Sequence, residues 1–251
     1  MASYETFAEV YDLYMDNVPY DEWCAHILDL LKEYEITNGI VTELGCGTGK
    51  MTRRLQRAGF DMIGIDNSYD MLGIALEKGP ENILYLCQDM REFELYGTVA
   101  AVVSVCDSMN YITSLEDLIQ VIRLVNNYLD PGGIFIFDMN TLYKYSELLG
   151  DNVFAENREQ GSFIWENEFD ETTGINAYDL TLYIKDEDDD TYHRFKEEHF
   201  QKAYTTEEVR KAVEAGGMKL KKILDADTMK EVTDITERMY VICQEQGKGD
   251  K

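Results

Sequence analysis

The stretch with the plainest chemical purpose is Glu43-Leu44-Gly45-Cys46-Gly47-Thr48-Gly49, three glycines at alternate positions behind an acid. Glycine can turn at positive φ and lets backbone N–H groups approach a ligand that a Cβ would hold away. Between an apolar run and a helix, such a turn presents those groups at the carboxyl end of a strand. Tightening the strand–helix packing is the plainer use of the same glycines. Asp66 follows Gly49 by 17 residues. Its two acceptor oxygens suit a ligand with two adjacent hydroxyl donors, and capping the next helix is its alternative role. A third group, Asp107-Ser108-Met109-Asn110-Tyr111, comes straight after Cys106 and the apolar run 99–105. A carboxylate there is costly unless it reaches solvent or a polar ligand. Asp107 is therefore a candidate catalytic group, and Asn110 and Tyr111 are candidate substrate contacts.

Two further sets of side chains could serve a reaction. Among the N-terminal tyrosines, Tyr11 is a candidate catalytic hydroxyl and Tyr14 a candidate substrate contact, against amphipathic packing as the general use of such residues. Of the three histidines, His193 and His199 stand six apart on one predicted strand and so face one side of it. His199 is a candidate general base, with a solvent-facing or stacking ring as the commoner outcome. No Ser/His/Asp or Cys/His constellation points to a covalent intermediate. The five cysteines, Cys24, Cys46, Cys87, Cys106 and Cys243, are scattered singly, without metal-like or paired spacing. They read as reduced thiols, and no metal site is expected.

The elements that must position these groups alternate along the chain. Apolar runs over 40–44, 60–66, 83–86, 99–105 and 134–138 read as strands. Between them lie helical patterns: one from about Asp21 to Asn38-Gly39, one opening at Lys50, one over 69–77, and one over 115–129 that Asp130-Pro131-Gly132-Gly133 ends. A leading helix is expected over 4–15. From 150 to 204 the period shifts toward two, and three antiparallel strands are expected at 162–169, 176–184 and 192–200. The run Asp186-Glu187-Asp188-Asp189-Asp190 between the last two reads as a solvated hairpin tip. Thr205-x-x-Glu208 is a capping box opening a further helix, and strands at 219–224 and 238–243 follow. Three parts result: 1–149 as an α/β core, 150–204 as an inserted lobe that is a lid or a dimer surface, and 205–251 completing the core.

Composition narrows the partners. With 251 residues and 45% hydrophobic content the chain can bury one sizeable core. The net charge of −26 repels phosphate backbones and anionic lipids, and no Lys/Arg cluster offsets it. No apolar run reaches eighteen residues and Met1-Ala2-Ser3-Tyr4-Glu5 lacks signal-peptide character, so a cytoplasmic location is expected.

The dinucleotide fingerprint G-x-G-x-x-G does not fit, since Gly49 comes one residue early and Lys50 stands in its place. Glu43, Gly45, Gly47 and Gly49 together resemble instead the first motif of class I S-adenosylmethionine (SAM)-dependent methyltransferases. Asp66, the Gln88-Asp89-Met90 stretch, the 106–111 loop and the Pro131-Gly132-Gly133 turn follow in that family's order. The chain looks most like uncharacterised bacterial members of the small-molecule branch, which share a tyrosine-rich leading helix and an antiparallel lid. The resemblance implies an α/β fold: a seven-stranded, mostly parallel, doubly wound (Rossmann-like) sheet with a small antiparallel β insert. It implies SAM as cofactor, with S-adenosylhomocysteine as product. The binding residues would be Glu43, Gly45, Cys46, Gly47, Asp66 on the ribose, Asn67, Met71, Gln88, Asp89 on the adenine amino group, Met90 and Cys106. The implied activity is methyl transfer to nitrogen or oxygen of a small molecule, in a monomer or a homodimer. The alternatives are an RNA or protein methyltransferase, disfavoured by the charge, and a non-catalytic SAM-binding regulator.

Overall fold

The computed structural model describes residues 12, 14–16, 18–79, 82–186 and 189–247 of the chain. The helix expected over 4–15 falls almost wholly outside these residues, and Tyr11 with it. From the N-terminal side, α1 (Tyr20–Glu33), β1 (Ile40–Leu44), α2 (Lys50–Arg57), β2 (Asp61–Asp66), α3 (Tyr69–Lys78), β3 (Leu84–Cys87) and β4 (Val99–Ser104) follow one another. After a 3-10 turn (Ser108–Tyr111) come α4 (Leu115–Tyr128), β5 (Leu129–Asn140) and a π-helical turn (Lys144–Leu149). The remainder is β6 (Val153–Arg158), β7 (Gly161–Asp170), β8 (Ile175–Lys185), β9 (Tyr192–Lys202), α5 (Thr206–Ala215), β10 (Met218–Asp225) and β11 (Arg238–Glu245).

Seven strands form one sheet in the order β10-β11-β5-β4-β1-β2-β3. β1 to β5 pair in parallel, whereas β11 runs antiparallel to both β5 and β10. The central strands are apolar on both faces because both faces are covered. Along β5, Ile134 and Ile136 pack with α1 and α2 through Ile27, Leu31, Met51 and Leu55. Their neighbours Phe135, Phe137 and Met139 pack with α4 and α5 through Leu118, Ile122, Val209 and Val213. Alternation along a pleated strand thus feeds two cores, and both leave the strands' carboxyl ends to the connecting loops. β5 begins earlier than its apolar run, since a register shift between Val99 and Ala101 of β4 absorbs the Asp130–Gly133 turn. Ser114 and Thr205 cap α4 and α5 as their positions suggest, the latter with a complete capping box.

The inserted lobe is a four-stranded antiparallel meander, β6-β7-β8-β9. Three strands were expected. β6 escapes the pattern because it is an edge strand with most side chains exposed, so little apolar alternation is required of it. One face of the meander carries Phe163, Leu182 and Phe195 in register, beside Trp165 and Leu180. Among the described residues no helix is long and apolar enough to cross a membrane.

Candidate active site

The turn after β1 gives its glycines different duties. Gly45 has φ +69° and lies against the loop after β4, where an added Cβ would stand 2.5 Å from Ser108 Oγ. It admits a neighbouring loop. Gly47 has φ +51°, and a Cβ there would meet no protein atom within 4 Å, because the residue faces a cavity. That open space over a backbone bend is what a bound small molecule would fill. Gly47 N–H donates to Asp66 Oδ2 (2.8 Å) and Ser68 N–H to Asp66 Oδ1 (2.9 Å), so one carboxylate braces the loops after β1 and β2. Each of its oxygens keeps a second lone pair for a ligand hydroxyl. Ser68 is the helix cap, accepting from Met71 N–H, and that role does not fall to Asp66. Burial pushes Asp66 above the usual carboxylate range against these backbone donors.

Beneath the turn, Glu43 is only 2% exposed and accepts a hydrogen bond from Thr52 Oγ1. Burial, with nearby Asp66 adding to it, pushes its pKa up to about 8. Asp12 strides over the turn from the N-terminal side, accepting from Thr48 Oγ1 (2.8 Å) and pairing with Lys50 and Lys78.

All eleven residues expected to hold the cofactor line one cavity that is open to solvent. They are Glu43, Gly45, Cys46, Gly47, Asp66, Asn67, Met71, Gln88, Asp89, Met90 and Cys106. Past β3, the Gln88 amide bonds to both backbone groups of Glu94 and shapes the rim. Asp89 accepts from Arg91 Nε (2.9 Å) and Nη2 (2.5 Å), bonds that hold its carboxyl below the ordinary range.

The loop after β4 is bent hard. Cys106 and Asp107 both sit at positive φ, +61° and +52°, a conformation that needs support in a residue with a Cβ. The support is Asp138 at the end of β5, which is fully buried and accepts from Cys106 N–H (3.1 Å) and Asp107 N–H (2.7 Å). Arg238 of β11 then donates Nη1 to Asp138 (2.8 Å) and Nη2 to Asp107 (2.7 Å), with its guanidinium over the Trp23 ring. Burial opposes the charge on Arg238, but the two carboxylates outweigh it and hold the group well above its usual range. The second Asp107 oxygen accepts from Gln201 Nε2 (2.8 Å) of β9. Asp107 is therefore a paired carboxylate that does not line the cavity, which departs from the exposed catalytic acid expected of it. Burial, first of all, pushes the Cys106 thiol far up, so it faces the cavity uncharged.

The other candidates part ways. Tyr111 lines the cavity, and its hydroxyl lies 2.5 Å from Tyr178 Oη and 3.2 Å from His199 Nδ1. His199 is 1% exposed, stacked on Tyr178 at 4.7 Å, with Nε2 3.2 Å from Glu197 Oε2. It is neither solvent-facing nor on the cavity wall; Tyr111 stands between. Asn110 is fully buried and stitches elements together: its amide donates to Asn140 and Lys202 carbonyls and accepts from Asn140 N–H. Tyr14 packs edge-on against Phe163 of the insert, under Arg158, and does not line the cavity. These two substrate contacts were expected from type alone, and packing accounts for both.

Sequence reading passed over Tyr20, Ser108 and Arg91 on the cavity wall and Arg238 behind it. Arg238 did leave a signal, a lone cation opening the apolar strand Met239-Tyr240-Val241-Ile242. Among the described residues no group of three or more His, Cys, Asp or Glu could hold a metal ion.

A family model described as a methyltransferase domain matches residues 41–133. A Bacillus subtilis protein named as a methyltransferase, YqeM, is 35% identical over 246 residues, 96% of this chain and 96% of its own. A solved SAM-dependent methyltransferase from Clostridium acetobutylicum superposes with a TM-score of 0.86 at 29% identity, covering 98% of this chain and 100% of that one. Over 133 residues the chain is 29% identical to a dTDP-3-amino-3,4,6-trideoxy-alpha-D-glucopyranose N,N-dimethyltransferase from Streptomyces venezuelae, 52% of this chain and 56% of that protein.

Proposed function

This chain belongs to the class I SAM-dependent methyltransferases, and we propose that it methylates an amine nitrogen of a small polar molecule. The observation that carries the cofactor half is the single cavity shared by the glycine turn, Asp66, Gln88, Asp89 and Met90, with open space over Gly47. Asp66 would take the two ribose hydroxyls, Asp89 and Met90 the adenine, and the 45–47 backbone the rest of the molecule. When bound, SAM supplies a methyl group already activated on a sulfonium. The chain's own task is then to align an acceptor lone pair and to dispose of a proton.

Charge supports a cationic acceptor. The molecule carries −26 overall, a field that concentrates ammonium groups and repels phosphate-rich partners. The Streptomyces venezuelae relative acts, by its name, on an amino sugar, which supports the same reading. Residues 150–204 are proposed as the acceptor lobe, since β9 brings His199 and Gln201 against the loop after β4. Calorimetry with SAM and S-adenosylhomocysteine tests the cofactor half. Labelled SAM with a panel of amino sugars, polyamines and hydroxylated metabolites tests the acceptor half. Binding of neither ligand at millimolar concentration sinks the first, and label carried only by hydroxylated compounds sinks the second.

A further inference from the structure

A protonated amine has no lone pair, so a site that methylates one must first remove a proton to a group within reach. The acids on the cavity wall are poor candidates, since Glu43 accepts from Thr52, Asp66 braces two loops and Asp89 is paired with Arg91. Asp107 is engaged by Arg238 and Gln201 away from the wall. One wall residue has a titratable chain behind it. Tyr111 Oη is hydrogen-bonded to His199 Nδ1 at 3.2 Å, and His199 Nε2 lies 3.2 Å from Glu197 Oε2, an ion-pair distance without hydrogen-bond alignment.

We propose that Tyr111, His199 and Glu197 form a proton relay leading from the acceptor amine in the cavity into the inserted sheet. The proposal rests on the amine reading above and adds its base. Tyr111 is the catalytic residue, because it alone of the three lines the cavity; His199 and Glu197 act through it. The step balances with no oxidant or further reactant. The ammonium N–H bond breaks and its proton joins Tyr111 Oη. In the same motion the phenolic O–H bond breaks and that proton joins His199 Nδ1. The amine is left with its lone pair, Tyr111 is a neutral phenol again, and the new positive charge on the imidazole lies beside the Glu197 carboxylate. The wiring needs His199 as its Nε2–H tautomer, with the bare Nδ1 toward Tyr111. Tyr178 helps to set this geometry: its hydroxyl is 2.5 Å from Tyr111 Oη and its ring stacks on His199. Among the described residues, Tyr111 from the 3-10 turn, Tyr178 from β8 and Glu197 from β9 face the imidazole. From β7, the register partner of Tyr178 is the uncharged Asn167.

Two measurements test the relay on the full chain. With only three histidines, ¹⁵N-histidine NMR resolves each ring. His199 is expected as the neutral Nε2–H tautomer, and Tyr111→Phe should displace its Nδ1 resonance while those of His26 and His193 stay in place. An Nδ1–H tautomer, or a resonance indifferent to Tyr111→Phe, overturns the relay. The second measurement uses an amine found by the labelled-SAM panel. At pH 7, Tyr111→Phe and His199→Gln should each lower kcat roughly 100-fold with SAM binding unchanged by calorimetry. Both losses should shrink as the pH approaches the amine's own pKa, because a neutral amine needs no base; a merely structural defect would not recover. Wild-type turnover of no amine overturns the amine reading and the relay together. Equal turnover by wild type and Tyr111→Phe overturns the relay alone.

Discussion

The two sides of the cavity are held together over different distances along the chain. On the cofactor side Asp66 ties the turn after β1 to the turn after β2, across 19 residues from Gly47, and Gln88 ties its own loop across six. On the acceptor side the loop after β4 is held by Gln201, 94 residues away from Asp107, and by Arg238, 131 residues away. Short loops at adjacent strand ends are a property of the parallel sheet, so each can be altered with the rest standing. The acceptor side is a cross-link of four elements, β4, β5, β9 and β11, through one guanidinium and two carboxylates. It should be rigid, and it should fail as a unit.

Arg238→Ala is the hardest test of that difference. It leaves Asp107 and Asp138 facing each other, the latter fully buried, with the strained 106–107 bend resting on Asp138 and the Gln201 amide. Removing one partner of a buried ion pair costs roughly 3–5 kcal/mol, and the loss should show as a lowered denaturation midpoint at pH 7. A change under about 1 kcal/mol, the size of one ordinary hydrogen bond, would mean that the cross-link bears little of the fold.

The same contrast explains what could be read without coordinates. Glu43, the glycine turn, Asp66 and the 88–90 rim were legible because each sits just past a strand in an order that local pattern reveals. The sheet was legible for the same reason, strand by strand. The pairing of Asp107 was not, since its partner opens a strand at the far end of the chain and nothing near position 107 implies it. The burial of Asn110 and Tyr14 is not legible either, because a polar tip says nothing about which way it faces. β6 was missed because an edge strand with solvated side chains imposes no alternation.

Asp66→Ala should divide the two sides in the other direction. Its removal leaves the Gly47 N–H open to the cavity and the Ser68 N–H to a buried turn, while no ion pair is broken, so the fold should stay cooperative and lose less than with Arg238→Ala. SAM binding should weaken by roughly 1.5–3 kcal/mol, the worth of charge-assisted hydrogen bonds, measured by calorimetry. An unchanged dissociation constant would leave Asp66 as a brace between loops and nothing more.

The effects of Glu43 vary with pH, and their sign decides whether the cofactor side is prepared for a cation. Its folded pKa is about 8 against an ordinary 4.5. Below 4.5 it is protonated in both folded and unfolded chains. Between 4.5 and 8 the unfolded chain releases the proton and the folded one keeps it, so stability falls as pH rises through that window and levels off above it. One group contributes at most about 1.4 kcal/mol per pH unit, best read as the difference between wild type and Glu43→Gln. The amide mimics the protonated acid and can still accept from Thr52. Below about pH 4.5 the substitution should therefore shift stability by no more than about 1 kcal/mol, and it should become increasingly stabilising as pH rises through 6 to 8.5. Ligand binding reverses the penalty. A positive charge near the buried acid favours its ionised form, so SAM should release a proton from the wild type and bind more tightly as pH rises toward 8, by at most about tenfold per unit. Calorimetry in buffers of different ionisation enthalpy would count that proton, and Glu43→Gln should release none. Equal proton release by both proteins would place the cation elsewhere in the cavity and leave Glu43 with Thr52 as its sole business.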